Sequence, residues 1–241
     1  MSLTSLDYVN GIFSMIFVFI SIIVGVIILS KYFRYRERTY LYIGSTWMFL
    51  SSSWWPSCIS FLVALNNGVG ITAELYFLIG NIFVPLAIVL WLLGFTEFLY
   101  SEKRKQILII TGIYGLLYEI LFLVFLFINP DIIGELNPPV DVNYQSFTIF
   151  FLLSFLAIVV ITGVLFARLS LQSEDPEVKL KGKLLIVAYI AFTIGALLDS
   201  AIPLNAVLII FTRLILIASA LFWYGGFILP SWMRKVFLKK N

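Results

Sequence analysis

The stretch from Asn205 to Trp223 reads NAVLIIFTRLILIASALFW, an apolar run broken by a single charge at Arg213. Nineteen residues at about 1.5 Å each come close to the roughly 30 Å of a bilayer's hydrocarbon core, so the run predicts a membrane-spanning helix. Six more runs of the same kind place spans over 8–31, 39–65, 73–100, 107–128, 146–170 and 184–204, with this last one over 206–229. Composition agrees: 61% of the chain is hydrophobic, only 12% is charged, and mean hydropathy is +1.05. Soluble domains carry about 25% charged residues. A membrane β-barrel would show alternation over segments of about 10 residues, whereas these runs are continuously apolar. The expected fold is therefore all-α integral membrane, a seven-transmembrane-helix bundle forming one domain over 1–241.

The cations set the expected orientation. Lys31, Arg34, Arg36 and Arg38 follow the first span, Lys103, Arg104 and Lys105 the third, and Arg168, Lys179, Lys181 and Lys183 flank the link after the fifth. Arg234, Lys235, Lys239 and Lys240 follow the seventh, so 15 of the 16 basic residues fall on one side. The other side carries Asp7, Glu74, Asp131, Glu135 and Asp141. By the positive-inside rule the N-terminus is outside and the C-terminus cytoplasmic, which implies a multi-pass cell-membrane protein. The first span has no basic n-region before it and is too long for a signal peptide, so it is expected to stay as an anchor. The longest outer link, NPDIIGELNPPVDVNYQ (129–145), is expected to form no folded domain. The tail 230–241, with SWMRKVFLKKN at 231–241, suits a basic interfacial helix as well as plain topology-fixing charge.

Arg213 is the sixteenth cation, and depth decides what it can meet. Counting rise, it lies about 10 Å below the outer end of its span, Asp199 about 7 Å and Glu119 about 13 Å below theirs. An arginine in lipid costs at least about 2.5–3.5 kcal/mol on insertion scales, so it should face the bundle and pair with an acid. Asp199 is the expected partner, since a guanidinium satisfies a carboxylate through two bonds and cannot lose its proton. Asn81, Ser57, Ser154 and Ser14 fall in the same layer, and Trp54 and Trp55 sit beside Pro56 and Ser57. Pro56 and Pro85 each remove a backbone donor and should bend their spans. The candidate ligand-binding site, or intramembrane charge cluster, is thus Arg213, Asp199, Glu119, Asn81, Trp54 and Ser57. Against it stands a purely structural clamp of the seventh span to the sixth. Glu119 would be the spare acid, with Gly112 and Gly115 packing closely around it. Glu97, near the basic end of the third span, should snorkel to Lys103 and Arg104.

Chemistry-bearing residues are otherwise sparse. Histidine is absent and Cys58 is the single cysteine, so no metal site and no catalytic residue is assigned. An internal echo pairs WLLGF (Trp91, Gly94, Phe95) with WYGGF (Trp223, Gly226, Phe227), as a three-plus-one-plus-three duplication of spans would.

Seven spans, an outside N-terminus and short loops resemble, in topology, the rhodopsin and G-protein-coupled-receptor arrangement and the seven-transmembrane sensor modules of prokaryotic signalling proteins. No lysine lies between Lys183 and Lys235, which excludes a retinal Schiff base, and no other cofactor is expected. TEFLYSEKR and WYGGFILPSW stand where receptors would carry an Asp-Arg-Tyr-like triplet and an Asn-Pro ending, so G-protein coupling is not implied. The sensor resemblance implies a receptor-like protein that binds a small molecule or lipid in the outer half of the bundle. Its expected partners are membrane lipids, that ligand, and either a separate cytoplasmic signalling protein or a second copy, with no nucleic acid. A small transporter with parallel three-helix repeats, which resembles the sugar-exporting SWEET proteins without their Pro-Gln motif, is the second class. An intramembrane enzyme using Asp199 and Glu119 is a distant third.

Overall fold

A computed structural model describes residues 3–201 and 205–238. Seven helical stretches are long and apolar enough to cross a membrane, from Ser5–Tyr35 at the start to Ala206–Ile228 at the end. The first span is α1 (Ser5–Tyr35), the second α2 (Arg38–Leu50) and α3 (Trp55–Asn67), the third α4 (Ala73–Asn81) and α5 (Val84–Phe98). The fourth contains α6 (Arg104–Ile128), followed by strands β1 (Gly134–Asn137) and β2 (Asp141–Tyr144). α7 (Ser146–Leu171), α8 (Pro176–Ala201) and α9 (Ala206–Ile228) complete the bundle, and α10 (Ser231–Phe237) follows. The expected spans fall within these helices to a few residues, except that the sixth helix begins eight residues earlier than 184. The turn expected at 203–206 lies, except for its last two residues, outside the described residues, as do Lys239 and Lys240.

Local chemistry sets the ends. Thr4 and Asp7 form a capping box at the start of α1, and Asn205 caps α9 by accepting from the Leu208 amide. The second span breaks at a 3-10 turn over Ser51–Trp54, just before Pro56, and the third breaks at Ile82–Phe83, just before Pro85. Each proline sits in a first helical turn, where its missing N–H leaves no bond unmade. Both spans are thus interrupted where bends were expected, and each proline packs against a glycine. A Cβ on Gly80 would lie 3.1 Å from Pro56, and one on Gly115 would lie 3.0 Å from Pro85.

Six spans close a ring in which α1 packs on α2 and α9, α9 on α8, α8 on α7, α7 on α5, and α5 on α2. The fourth span stands outside, with α6 packed on α4 and α5. Apolar side chains such as Phe19, Phe127, Ile110 and Val207 cover the outside of the bundle, while serines, asparagines and Arg213 are buried within it. Toward the basic end, the ring is filled by Trp47, Trp91, Trp223 and Tyr189, with Trp47 and Trp223 4.7 Å apart and Trp91 and Trp223 5.6 Å apart. The two tryptophans of the internal echo thus touch each other. Trp91 donates to Thr162, whereas Trp47 Nε1, Trp223 Nε1, the Tyr189 hydroxyl, and Ser21 and Ser52 Oγ are buried without a partner among the described residues. At the basic end Glu97 accepts from Thr39 and pairs with Arg104 at 3.6 Å.

Candidate ligand-binding site

Arg213 is 2% exposed and anchored on two sides. Its Nη1 donates to Asp199 Oδ1 at 2.5 Å, its Nη2 to Asn10 Oδ1 at 3.1 Å and its Nε to Ser14 Oγ at 3.3 Å. Ser14 in turn donates to Asn10 at 3.2 Å. Trp54 Nε1 donates to the second carboxylate oxygen of Asp199 at 2.7 Å. One guanidinium therefore joins α1, α8 and α9, and the indole adds the second span. The pairing expected from depth is present, but through one bond and not two, because Trp54 takes the second carboxylate oxygen and Asn10 and Ser14 take the remaining guanidinium nitrogens. The Asp199 side chain keeps 21% of its surface exposed, against 3% for Arg213, so the acid is the more open of the two.

The link over 129–145 forms no domain, but it carries a two-stranded hairpin that the sequence reading did not anticipate. Leu136 pairs with Val142 and Asn137 with Asp141 across a tight turn at Pro138 and Pro139. The sequence signal is the alternation Val140-Asp141-Val142-Asn143-Tyr144 after a proline turn, which is a strand pattern in a stretch otherwise rich in breakers. Ile133 and Val140 are buried, and the hairpin is pinned from below. Ser60 donates to the Pro139 carbonyl, Thr148 to that of Ile133, and Tyr76 to that of Val140 at 2.9 Å. With its proton so used, the Tyr76 oxygen accepts from Ser57 at 2.6 Å. Replacing Tyr76 by phenylalanine leaves a buried carbonyl unpaired, a cost of about 1–3 kcal/mol. Faster amide hydrogen exchange confined to 133–145 is the expected result; unchanged exchange there would mean that the tyrosine does not hold the hairpin.

Between hairpin and clamp lies a cavity of about 140 Å³. Its polar lining is Asn10, Trp54, Ser57, Asp141, Asp199 and Arg213; its apolar lining includes Ile88, Leu152, Phe155, Leu156 and Phe192, the last packed edge-on against Trp54. Asp141, on the hairpin, lies at the rim. Partial burial pushes its carboxyl above the ordinary value of 3.8; the Val142 amide opposes this, the Asp199 carboxylate adds to it, and Arg213 and Asn137 oppose it. Tyr144, also on the hairpin, is pushed by burial up to about 12, against a lowering by its bond from Asn81, so it stays a neutral phenol. A folded-state carboxyl with a raised pKa binds its proton more tightly than the unfolded chain does. Its contribution to stability therefore falls as pH rises from about 3.8 through the raised value. Asp141→Asn should flatten that decline and raise the thermal midpoint at neutral pH, with little change at pH 4. A wild-type midpoint that instead rises across that window, with the same slope in the variant, would show that Asp141 is not the group responsible.

Of the residues expected at the site, Arg213, Asp199, Trp54 and Ser57 meet in the cavity wall. Asn81 stands behind it, fully buried, accepting from Tyr118 at 3.1 Å and donating to Phe77 and to Tyr144, the latter at 3.4 Å. Glu119 does not join the cluster. It lies on α6 outside the ring, half-buried, with no ion pair or side-chain hydrogen bond among the described residues. Gly112 faces open space and Gly115 packs on Pro85, so neither builds a site around Glu119. Ser154 bonds to Tyr114 at 2.6 Å and is likewise away from the cavity. Asn10, Tyr76, Tyr144 and the place of the exposed Asp141 at the cavity rim were not foreseen. Compared with family models, curated proteins and solved structures, the chain matches none, so its function is argued from this geometry.

Proposed function

We propose that the chain is a receptor-like or sensor protein of the cell membrane, with its N-terminus outside, that binds a small molecule in the cavity beneath the 129–145 hairpin. The observation that carries this reading is the exposed face of Asp199, a carboxylate already bonded to Arg213 and Trp54 yet still open to a cavity. A clamp that served stability alone would gain from closing that space, because a buried pair is best satisfied when dry and fully bonded. A ligand moving Asp199 or Trp54 would act on four spans at once, since α1, α8, α9 and the second span meet there. Any signal would pass to a cytoplasmic partner or a second copy.

The second reading, a small transporter with two three-span repeats, is favoured by one observation: the fourth span stands outside a ring made by the other six. Against it, the ring below the cavity is closed by tightly packed aromatic rings. Sided labelling separates the two. Ser53 lines the cavity, and Ser53→Cys in a Cys58→Ala background should react with a membrane-impermeant thiol reagent from the outer side only. Reaction from both sides would favour the transporter. No reaction from either side would remove the open pocket on which both readings rest.

A further inference from the structure

We infer, resting on the pocket reading above, that the ligand is a small organic amine: one protonated nitrogen attached to a single apolar group about the size of a benzene ring.

Charge decides the head group. The cavity wall carries Arg213, Asp199 and Asp141, one cation and two acids. The cation is largely committed, since each of its three nitrogens donates, to Asp199, Asn10 and Ser14, and only 3% of its side chain is exposed. What the cavity offers a ligand is the free edge of Asp199 and the carboxyl of Asp141. The approach has the same sign: Asp7, Glu74, Asp131 and Glu135 lie at this end of the chain's spans, and no lysine or arginine does. Carboxylates lining the mouth of a low-dielectric cleft raise the local concentration of cations and repel anions. Aromatic rings add to this, because Trp54, Tyr144 and Phe192 all border the cavity, and ring faces attract ammonium groups.

The apolar lining decides what the nitrogen is attached to. Ile88, Leu152, Leu153, Phe155, Leu156 and Phe192 give a metal ion or a hydrated inorganic cation nothing to bind. Among the described residues no three His, Cys, Asp or Glu side chains come together as metal ligands. Size bounds the apolar part, for a cavity of about 150 Å³ is known to hold benzene, and this one measures about 140 Å³. A long acyl chain is too large unless it leaves the bundle sideways.

Three probes of one shape and different charge test the inference: 2-phenylethylamine, 2-phenylethanol and 3-phenylpropionate, titrated calorimetrically at pH 7 into nanodisc-held protein against empty nanodiscs. The amine should bind about tenfold tighter than the alcohol, as expected for a cation meeting an unpaired carboxylate in a partly desolvated site, and the carboxylate should not bind. Asp141→Asn, with its thermal midpoint checked, should bring amine and alcohol close together, and Ala196→Phe, which fills the cavity, should remove both. Equal affinity for amine and alcohol, or a preference for the carboxylate, overturns the ligand class while leaving a ligand-binding pocket. Amine binding that survives Ala196→Phe, or no binding of any probe, overturns the inference too, and the labelling of Ser53→Cys then decides separately whether the pocket itself is open.

Discussion

Asp199→Leu, with Arg213 left in place, should destabilise the protein by about 3–5 kcal/mol, because it strands a cation that cannot discharge inside the bundle. Asn10 and Ser14 would still accept from the guanidinium, but neither carries charge. Arg213→Met should cost a similar amount, leaving Asp199 with the Trp54 donor alone. The double variant is the informative one. Removing both charges restores neutrality, yet Trp54 Nε1 is left without its acceptor, at about 1–3 kcal/mol. The double should therefore be clearly more stable than either single and still below wild type. Thermal midpoints in one detergent measure all three. Additive losses would show that the two side chains do not act on each other and would remove the clamp.

Gly44→Ala should also be damaging, by less and for a different reason. A Cβ there would sit 2.6 Å from the Gly25 carbonyl oxygen and 2.7 Å from the Leu29 amide nitrogen, both backbone atoms of α1. No rotamer relieves such a contact, so α1 and α2 must move apart, at a cost of about 1–3 kcal/mol and more for valine. Gly112→Ala is the matched control, since its Cβ would meet nothing within 4 Å and alanine favours the helix by up to about 1 kcal/mol. The midpoint should fall for the first and hold or rise for the second. Equal effects would mean that the glycines matter only through helix propensity.

The seven spans were legible because an apolar run long enough to cross a bilayer is written directly in the letters, as at Asn205–Trp223. The Arg213–Asp199 pair was legible because both charges could be placed by counting rise from a helix end. Counting rise gives depth and says nothing of azimuth, which is why Glu119, at a matching depth, was placed with them although its helix lies outside the ring. The hairpin escaped for another reason. Its prolines and acids outweighed a short period-two pattern, and its stability depends on Tyr76 and Ser60, which lie on other spans. Asn10 was passed over because it falls close to a helix start, where an asparagine usually meets water.

The two ends of the bundle are held by contacts of different kinds. Around Arg213, four spans are cross-linked by directional bonds that hold only in one register. Around Trp47, Trp223 and Tyr189 the second, sixth and seventh spans meet through tilted and edge-on rings, with indole and hydroxyl protons bonded to nothing among the described residues. Surfaces of that kind can shear past one another without breaking a bond. A slide of one helix along its neighbour would break no hydrogen bond of these three side chains, whereas the same slide at Arg213 would break several.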